Sequence, residues 1–391
     1  MVVIAIAFIL FIDPFNLFSG RRAPRFRVSA AARVEMAEFI NSAGTPADAI
    51  LDALSQADVV FIGETGFIKD HVEVVSGIIE PLDTAGIRTF GYQYALIDDQ
   101  GLLDDLVTGP SFDEALAREI LFNQLTVFGW VEHVDLLRKV WEVNRRKSDP
   151  DEPFRVIALA NRLDYSALVK QDDVENPEAM ARVFATGVTD VVMADRIRTE
   201  FLEPGLKGVV YVQIDNALTD FTVAGYSEQL ENLGFPGVKR VGNSLHDQYG
   251  SRVATAILHG PVPVTGSRTG LGYLTGGAID RVLAVATADR AVGFQVAGSP
   301  FGGLRVAGNI ATTEDNTVPL LEAFTDVYIT VGPVKQLTTI TPIDNFITDA
   351  NLQEAIRRFP GPDPGDVSAA EMIDFIAGTA SQVADAISRI R

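Results

Sequence analysis

The sequence predicts an α/β fold with a mainly parallel central sheet flanked by helices. Three observations predict it. Apolar, β-branched runs of strand length alternate with helical stretches along most of the 391 residues. One stretch, Asp58 to Tyr94, holds a complete strand, helix and strand in about 35 residues, the βαβ unit of a parallel sheet with a right-handed crossover. Five long apolar runs each give way to polar or charged residues of the kind that gathers beyond the carboxyl ends of parallel strands, where open sheets bind ligands.

The elements follow in chain order. Residues 28 to 57 read as helical, with Thr45-Pro46-Ala47-Asp48 as an internal cap that places proline at the first helical position. Val59 to Ile62 is a buried strand, followed by Gly63 and Glu64. A helix begins near Asp70, carries Val72, Val75, Ile79 and Leu82 on one face, and stops at Gly86. Ile87 to Tyr92 is the second strand and runs into Gln93 and Tyr94. If the two strands are neighbours, Glu64 and Gln93 stand side by side. Ser111 to Glu114 reads as a capping box for a helix to Leu125, and Trp130 starts another with Val134, Leu137 and Trp141 at helical spacing. Phe154 to Ala160 is a third strand, ending at Asn161-Arg162. Asn176-Pro177-Glu178 caps a helix, and a further helical region reaches Phe201. Gly208 to Ile214 is a fourth strand ending at Asp215-Asn216, and Arg252 to His259 a fifth. Ala291 to Val296 and Asp326 to Val331 are shorter candidates. Ser368 to Glu371 opens the final helix.

Composition bounds the function. The chain has 52 acidic and 32 basic residues, a formal charge of −20, which argues against nucleic acid and polyanionic partners. No cysteine occurs, so disulfides, thiolate metal sites and cysteine nucleophiles are excluded. Four histidines leave little for a multi-histidine metal site. The first residues stand apart. Val2 to Ile12 is unbroken apolar sequence, too short for a bilayer core of ~30 Å that needs about 20 residues. It suits a signal-peptide core, yet Arg21, Arg22, Arg25 and Arg27 follow it instead of preceding it. Residues 1 to 27 therefore read as an export signal or membrane tether, with the orientation left open, and residues 28 to 391 as a single α/β domain.

Strand ends supply the candidate site residues: Glu64, Gln93, Asn161, Arg162, Asp215, Asn216 and His259. Glu64 serves either as a general base, if burial raises its pKa, or as a cap on the next helix. Asp215-Asn216 either orients a ligand or turns the chain. His259 is either a partner of the base or a satisfied structural histidine. Gly270 to Gly277 is glycine-rich but follows a loop, so the strand context of a dinucleotide loop is missing. Gly266-Ser267-Arg268-Thr269-Gly270 has its serine one place early for a nucleophile elbow.

At GETGFIKDH, GYQYALIDDQGLLDDLV, WVEHVDLLRKVWEVN and VYVQIDNALTDF the chain resembles the erythromycin-esterase-like proteins and the related ChaN-type haem-binding and TraB/Tiki-type proteins. The likeness extends through HDQYGSRVATAILHGP, RAVGFQVAGSPFGGL and TDVYITVGP, about residues 55 to 360. The resemblance implies an EreA/ChaN-like α/β fold and a water-activating or metal-binding crevice built by Glu and His at strand ends. Several expected groups are absent. Gly66 stands where the family commonly has histidine, Gln93 where it has glutamate, and Asp215-Asn216 where a histidine pair is expected. Gln and Asn offer neither a titrating base nor a nitrogen lone pair for a metal. His71, in the following helix, stands in for the missing histidine only if the chain bends it back.

Two readings follow. In the first, the chain is a catalytically degenerate member whose crevice binds an unknown small molecule, with Gln93, Asn161, Arg162, Asn216 and His71 as ligand-binding residues. In the second it is an esterase-like hydrolase with Glu64 as base and Asp215 and His259 as its partners. Both expect no resident cofactor, and the ligand set admits at most a weakly held divalent metal.

Overall fold

The computed structural model describes residues 26–147, 152–264, 267, 269–315 and 317–390. The apolar N-terminal segment expected to act as a signal or tether lies outside the described residues. Among the described residues no helix is long and apolar enough to cross a membrane.

All five long apolar runs are strands: β1 (Val59–Glu64), β2 (Thr89–Leu96), β3 (Arg155–Ala160), β4 (Gly208–Gln213) and β5 (Val253–Leu258). A two-stranded ribbon follows, β6 (Pro261–Pro263) with β7 (Leu271–Tyr273), and then β8 (Val292–Gln295) and β9 (Val327–Thr330). The main sheet has the order β3-β2-β4-β1-β5-β9-β8, parallel throughout except for β8 at one edge. The ribbon strands have three residues each, too few to leave a periodic signal.

One expectation fails. β1 and β2 belong to one parallel sheet, but β4 lies between them, paired with both. Every residue of β1 and all but Gln93 in β2 is buried, so their apolar runs specify burial on both faces and nothing about which strand is the neighbour.

Strand alternation sorts the core. Val60 and Ile62 of β1, Phe90, Tyr92 and Tyr94 of β2, and Val209 and Tyr211 of β4 join one cluster with Val72, Val75, Ile79 and Leu82 of the helix Lys69–Thr84. The intervening residues Val59, Phe61, Val210 and Val212 pack the other face against Met193, Ile197 and Phe201. A third cluster surrounds Ile257 and Tyr328 near the antiparallel edge. The caps form where composition placed them: Thr45 with Asp48, Asn176 and Ser368 with Glu371. The exception is the helix Glu114–Gln124, capped by Asp113 instead of Ser111, because the Asp113 carboxylate reaches the N–H groups of Ala115 and Leu116.

Gly63 is needed for contact. A Cβ there would lie 2.8 Å from the Ala217 Cβ and 2.9 Å from the Ile214 Cα, because the short helix Ile214–Ala217 crosses directly over β1. Gly77, exposed on the helix Lys69–Thr84, has nothing within 4 Å of that position. Gly63→Ala is therefore expected to destabilise by about 1–3 kcal/mol through overpacking. Gly77→Ala is expected to stabilise by about 0.5–1 kcal/mol. Denaturant unfolding of the two variants checks both signs.

Candidate functional site

β1 ends at Glu64, two residues beyond Ile62 and on the same face. Ile62 pairs with Tyr211 of β4, and Tyr211 pairs with Tyr92 of β2, so these three stand in a row across the sheet. Tyr94, two residues past Tyr92, rises to the level of Glu64. The result is a carboxylate between two phenols: Tyr94 donates to Oε1 of Glu64 and Tyr211 donates to Oε2. Glu64 is only 2% exposed. Burial pushes its pKa up to about 7, against the two phenol hydrogen bonds, which favour the charged form. The helix that follows has no side-chain cap, so Glu64 does not cap it. Burial, and next the charge of Glu64, hold both phenols well above their usual range, so they stay protonated and donate to the carboxylate.

Beneath them Tyr92 shares a 2.8 Å hydrogen bond with Nδ1 of His133, on the helix Val131–Arg145. The His133 ring packs 4.4 Å from that of Tyr94, and burial lowers its pKa to about 3, so it is neutral. Sequence reasoning passed over Tyr92, Tyr94, Tyr211 and His133 as site residues. A signal was present in the alternation Tyr92-Gln93-Tyr94, which puts two phenols on one face of a strand that leads to the crevice.

Beyond the strand ends lies a cavity of about 300 Å³. Glu64, Gly66, Gln93, Gln213, Asp215 and Asn216 line its strand side. Apolar side chains from residues 163–188 and from the helix Tyr226–Asn232 form its cover, among them Leu168, Met180, Phe184 and Leu230. Phe184 of the first segment meets Phe235, three residues beyond that helix, edge to face, with ring centroids 5.3 Å apart.

The predicted residues divide. Gln93 lines the cavity, and its Oε1 accepts the Gln213 N–H at 3.0 Å, where the β2 ladder becomes irregular. Asp215 lines it and is bonded to Arg240 at 2.6 Å. Asn216 lines it too, 3.4 Å from the same guanidinium. Asn161 does not reach the wall. Its Nδ2 donates to Thr186 Oγ1 and the Gly187 carbonyl, stitching together the two ends of the covering segment. Arg162 is half-exposed, 4.0 Å from Asp98. His71 is fully buried and does not bend back to the crevice. Its Nε2 donates to the His259 carbonyl at 3.0 Å, and burial lowers its pKa to about 4. His259 is also off the cavity wall, with Nδ1 bonded to Tyr328 at 2.7 Å and Nε2 3.5 Å from Asp280. Among the lining residues, Arg240, Asp190 and Tyr226 were missed. They come from three separate segments, and no local pattern joins them. Arg240 sits over the Tyr226 ring at 3.7 Å and 3.5 Å from Asp190, which in turn accepts from Tyr226 and from the Val241 N–H at 2.8 Å. Burial, foremost, raises the Asp190 pKa.

Neither a metal nor haem fits this donor set. Among the described residues no three His, Asp or Glu side chains come together to hold an ion. No histidine lines the cavity, and the carboxylates nearest its floor are already engaged by phenols or by a guanidinium.

No family model matches the sequence, and no curated protein matches it. Solved structures do. A crystal structure of a Bacillus cereus protein matches at a TM-score of 0.53 and 12% identity, over 80% of this chain and 99% of that one. A succinoglycan biosynthesis protein matches at 0.51 and 10%, over 81% and 100%. A mutant erythromycin esterase, EreC, in its open conformation matches at 0.47 and 11%, over 76% and 95%. At such identities the likeness is one of fold: the chain shares a mainly parallel α/β architecture with the Bacillus cereus protein and the succinoglycan biosynthesis protein.

Proposed function

We propose that this protein binds a small, largely apolar molecule in the crevice at the carboxyl edge of its sheet, and that it is a catalytically degenerate relative of hydrolases with this fold. The observation that carries the reading is the engagement of its carboxylates: both oxygens of Glu64 accept phenol hydroxyls and Asp215 is paired with Arg240. A general base needs an oxygen within reach of the proton it removes. The apolar cover and the few convergent polar groups are the usual make-up of a small-molecule site.

The hydrolase reading has one observation in its favour, the pKa of Glu64 near 7 in a crevice wall. Activity on simple esters separates the two. The binding reading expects no turnover of p-nitrophenyl acetate above background, and no change on Glu64→Gln. Turnover that drops by about 10²-fold or more on that substitution would establish Glu64 as a base. A thermal-shift screen of apolar small molecules tests binding directly, and a screen without any stabilising compound would count against the reading.

The missing histidine position remains open to a side chain. Gly66 has right-handed or extended backbone, and a Cβ there would meet only Gln213 Nε2, at 3.8 Å. Gly66→His is thus expected to fold with stability within about 0.5 kcal/mol of the parent. It should gain no esterase activity while Tyr94 and Tyr211 hold Glu64. Measured turnover in that variant would show the base to be accessible.

Glu64 also sets a pH dependence of stability. Its folded pKa lies near 7, above the ordinary 4.5, so between these values the folded state binds more protons than the unfolded chain. Stability from this group therefore falls as pH rises from 4.5 to 7, by about 3 kcal/mol for a shift of this size. The stability of the parent relative to Glu64→Gln, followed by denaturant unfolding across this window, should decline with rising pH. A flat difference would show that the carboxyl is not perturbed.

A further inference from the structure

The charge balance of the cavity narrows the class of molecule it takes, given that the crevice is a small-molecule site. Three acidic side chains reach its wall, Glu64, Asp190 and Asp215, and among the lining residues one basic side chain, Arg240. Arg240 is divided between two of those acids, at 2.6 Å from Asp215 and 3.5 Å from Asp190. One guanidinium between two carboxylates leaves a formal negative charge at this end of the cavity, before Glu64 is counted. The whole chain, at −20, adds potential of the same sign. The polar groups are also gathered at one end. Asp215 and Asn216 follow β4, and contacts through Arg240 tie Asp190 and Tyr226 to them.

The cover of the cavity is apolar and partly aromatic, with Leu168, Met180, Phe184 and Leu230. Aromatic faces also favour cations. Arg240 over Tyr226 shows a cation already held in this way at the cavity wall. An anionic head brought to the polar end would face two carboxylates in a partly desolvated site, where like charges cost most.

We infer that the crevice takes an organic cation with an apolar body, an alkyl- or arylammonium, whose ammonium lies beside Asp190 and Asp215 and whose apolar part packs against Leu168, Met180 and Leu230. The ammonium supplies the positive charge that Arg240 alone does not, and its N–H donors meet carboxylate oxygens.

Three probes with the same apolar body and different heads test this on the full chain: octylamine, octanol and octanoate, by isothermal titration at pH 7. Octylamine is expected to bind about tenfold or more tightly than octanol, with octanoate weakest. Asp215→Asn should shrink the octylamine-to-octanol ratio severalfold. The order among the three probes is read on the parent protein, so the test survives if that variant fails to fold. Octanol binding as tightly as octylamine would overturn the cation assignment and leave the crevice standing as an apolar site. Octanoate binding tightest would overturn it in favour of Arg240 as an anion anchor. Absence of binding by all three would remove both this inference and the small-molecule reading on which it rests.

Discussion

A carboxylate taken out of water at the end of a buried strand carries a desolvation penalty of several kcal/mol unless donors replace the lost water. Glu64 meets that requirement with two phenols from two other strands, Tyr94 of β2 and Tyr211 of β4. The geometry follows from strand alternation and register: Ile62, Tyr211 and Tyr92 stand in one row, and Glu64 and Tyr94 each sit two residues further on. The three strands are thereby pinned together at the edge where the crevice opens. Substituting any member leaves a buried donor or acceptor without its partner, so this end of the sheet depends on the trio as a unit.

The same arrangement bears on chemistry. A carboxyl group with a pKa near 7 in a crevice has the property sought in a general base, yet the hydrogen bonds that let it be buried also occupy its oxygens. Gly66 contributes no side chain, Gln93 uses its carbonyl to satisfy the backbone of β4, and Asp215 is bonded to Arg240, which also approaches Asp190. Glu64, Gln93, Asp215 and Asn216 in the crevice floor each have a protein partner. Three of the four histidines follow the same pattern: His71 holds the His259 carbonyl, His133 is bonded to Tyr92, and His259 to Tyr328. Three residues that titrate near neutrality in water are held inside the core as hydrogen-bonding struts.

The cover of the cavity is built differently from its floor. Residues 161–188 run through short helical turns, and Asn161, Thr186 and Gly187 close the segment at its base. Asp164 N–H bonds to the Val183 carbonyl within it, and Leu168 accepts from the Asp363 N–H. The cover is closed at its base by this polar neck and lays its apolar side chains over the strand ends, which gives the crevice an apolar wall.

The sequence by itself determined the fold class, the five long strands, the two shorter strands β8 and β9, and three helix caps. These are local matters: a run of β-branched residues buries itself on both faces, and Thr45, Asn176 and Ser368 satisfy helix N–H groups within three residues. Four of the strand-end candidates, Glu64, Gln93, Asp215 and Asn216, line one cavity. Only the tertiary structure decided the rest. It inserted β4 between β1 and β2, because fully buried strands carry no mark of their neighbours. It withdrew His71 and His259 from the cavity wall and brought Arg240, Asp190 and Tyr226 into it from segments far apart in the chain. A side chain's partners across the sheet depend on register and helix packing, and those are set by the whole core at once, not by any stretch that can be read alone.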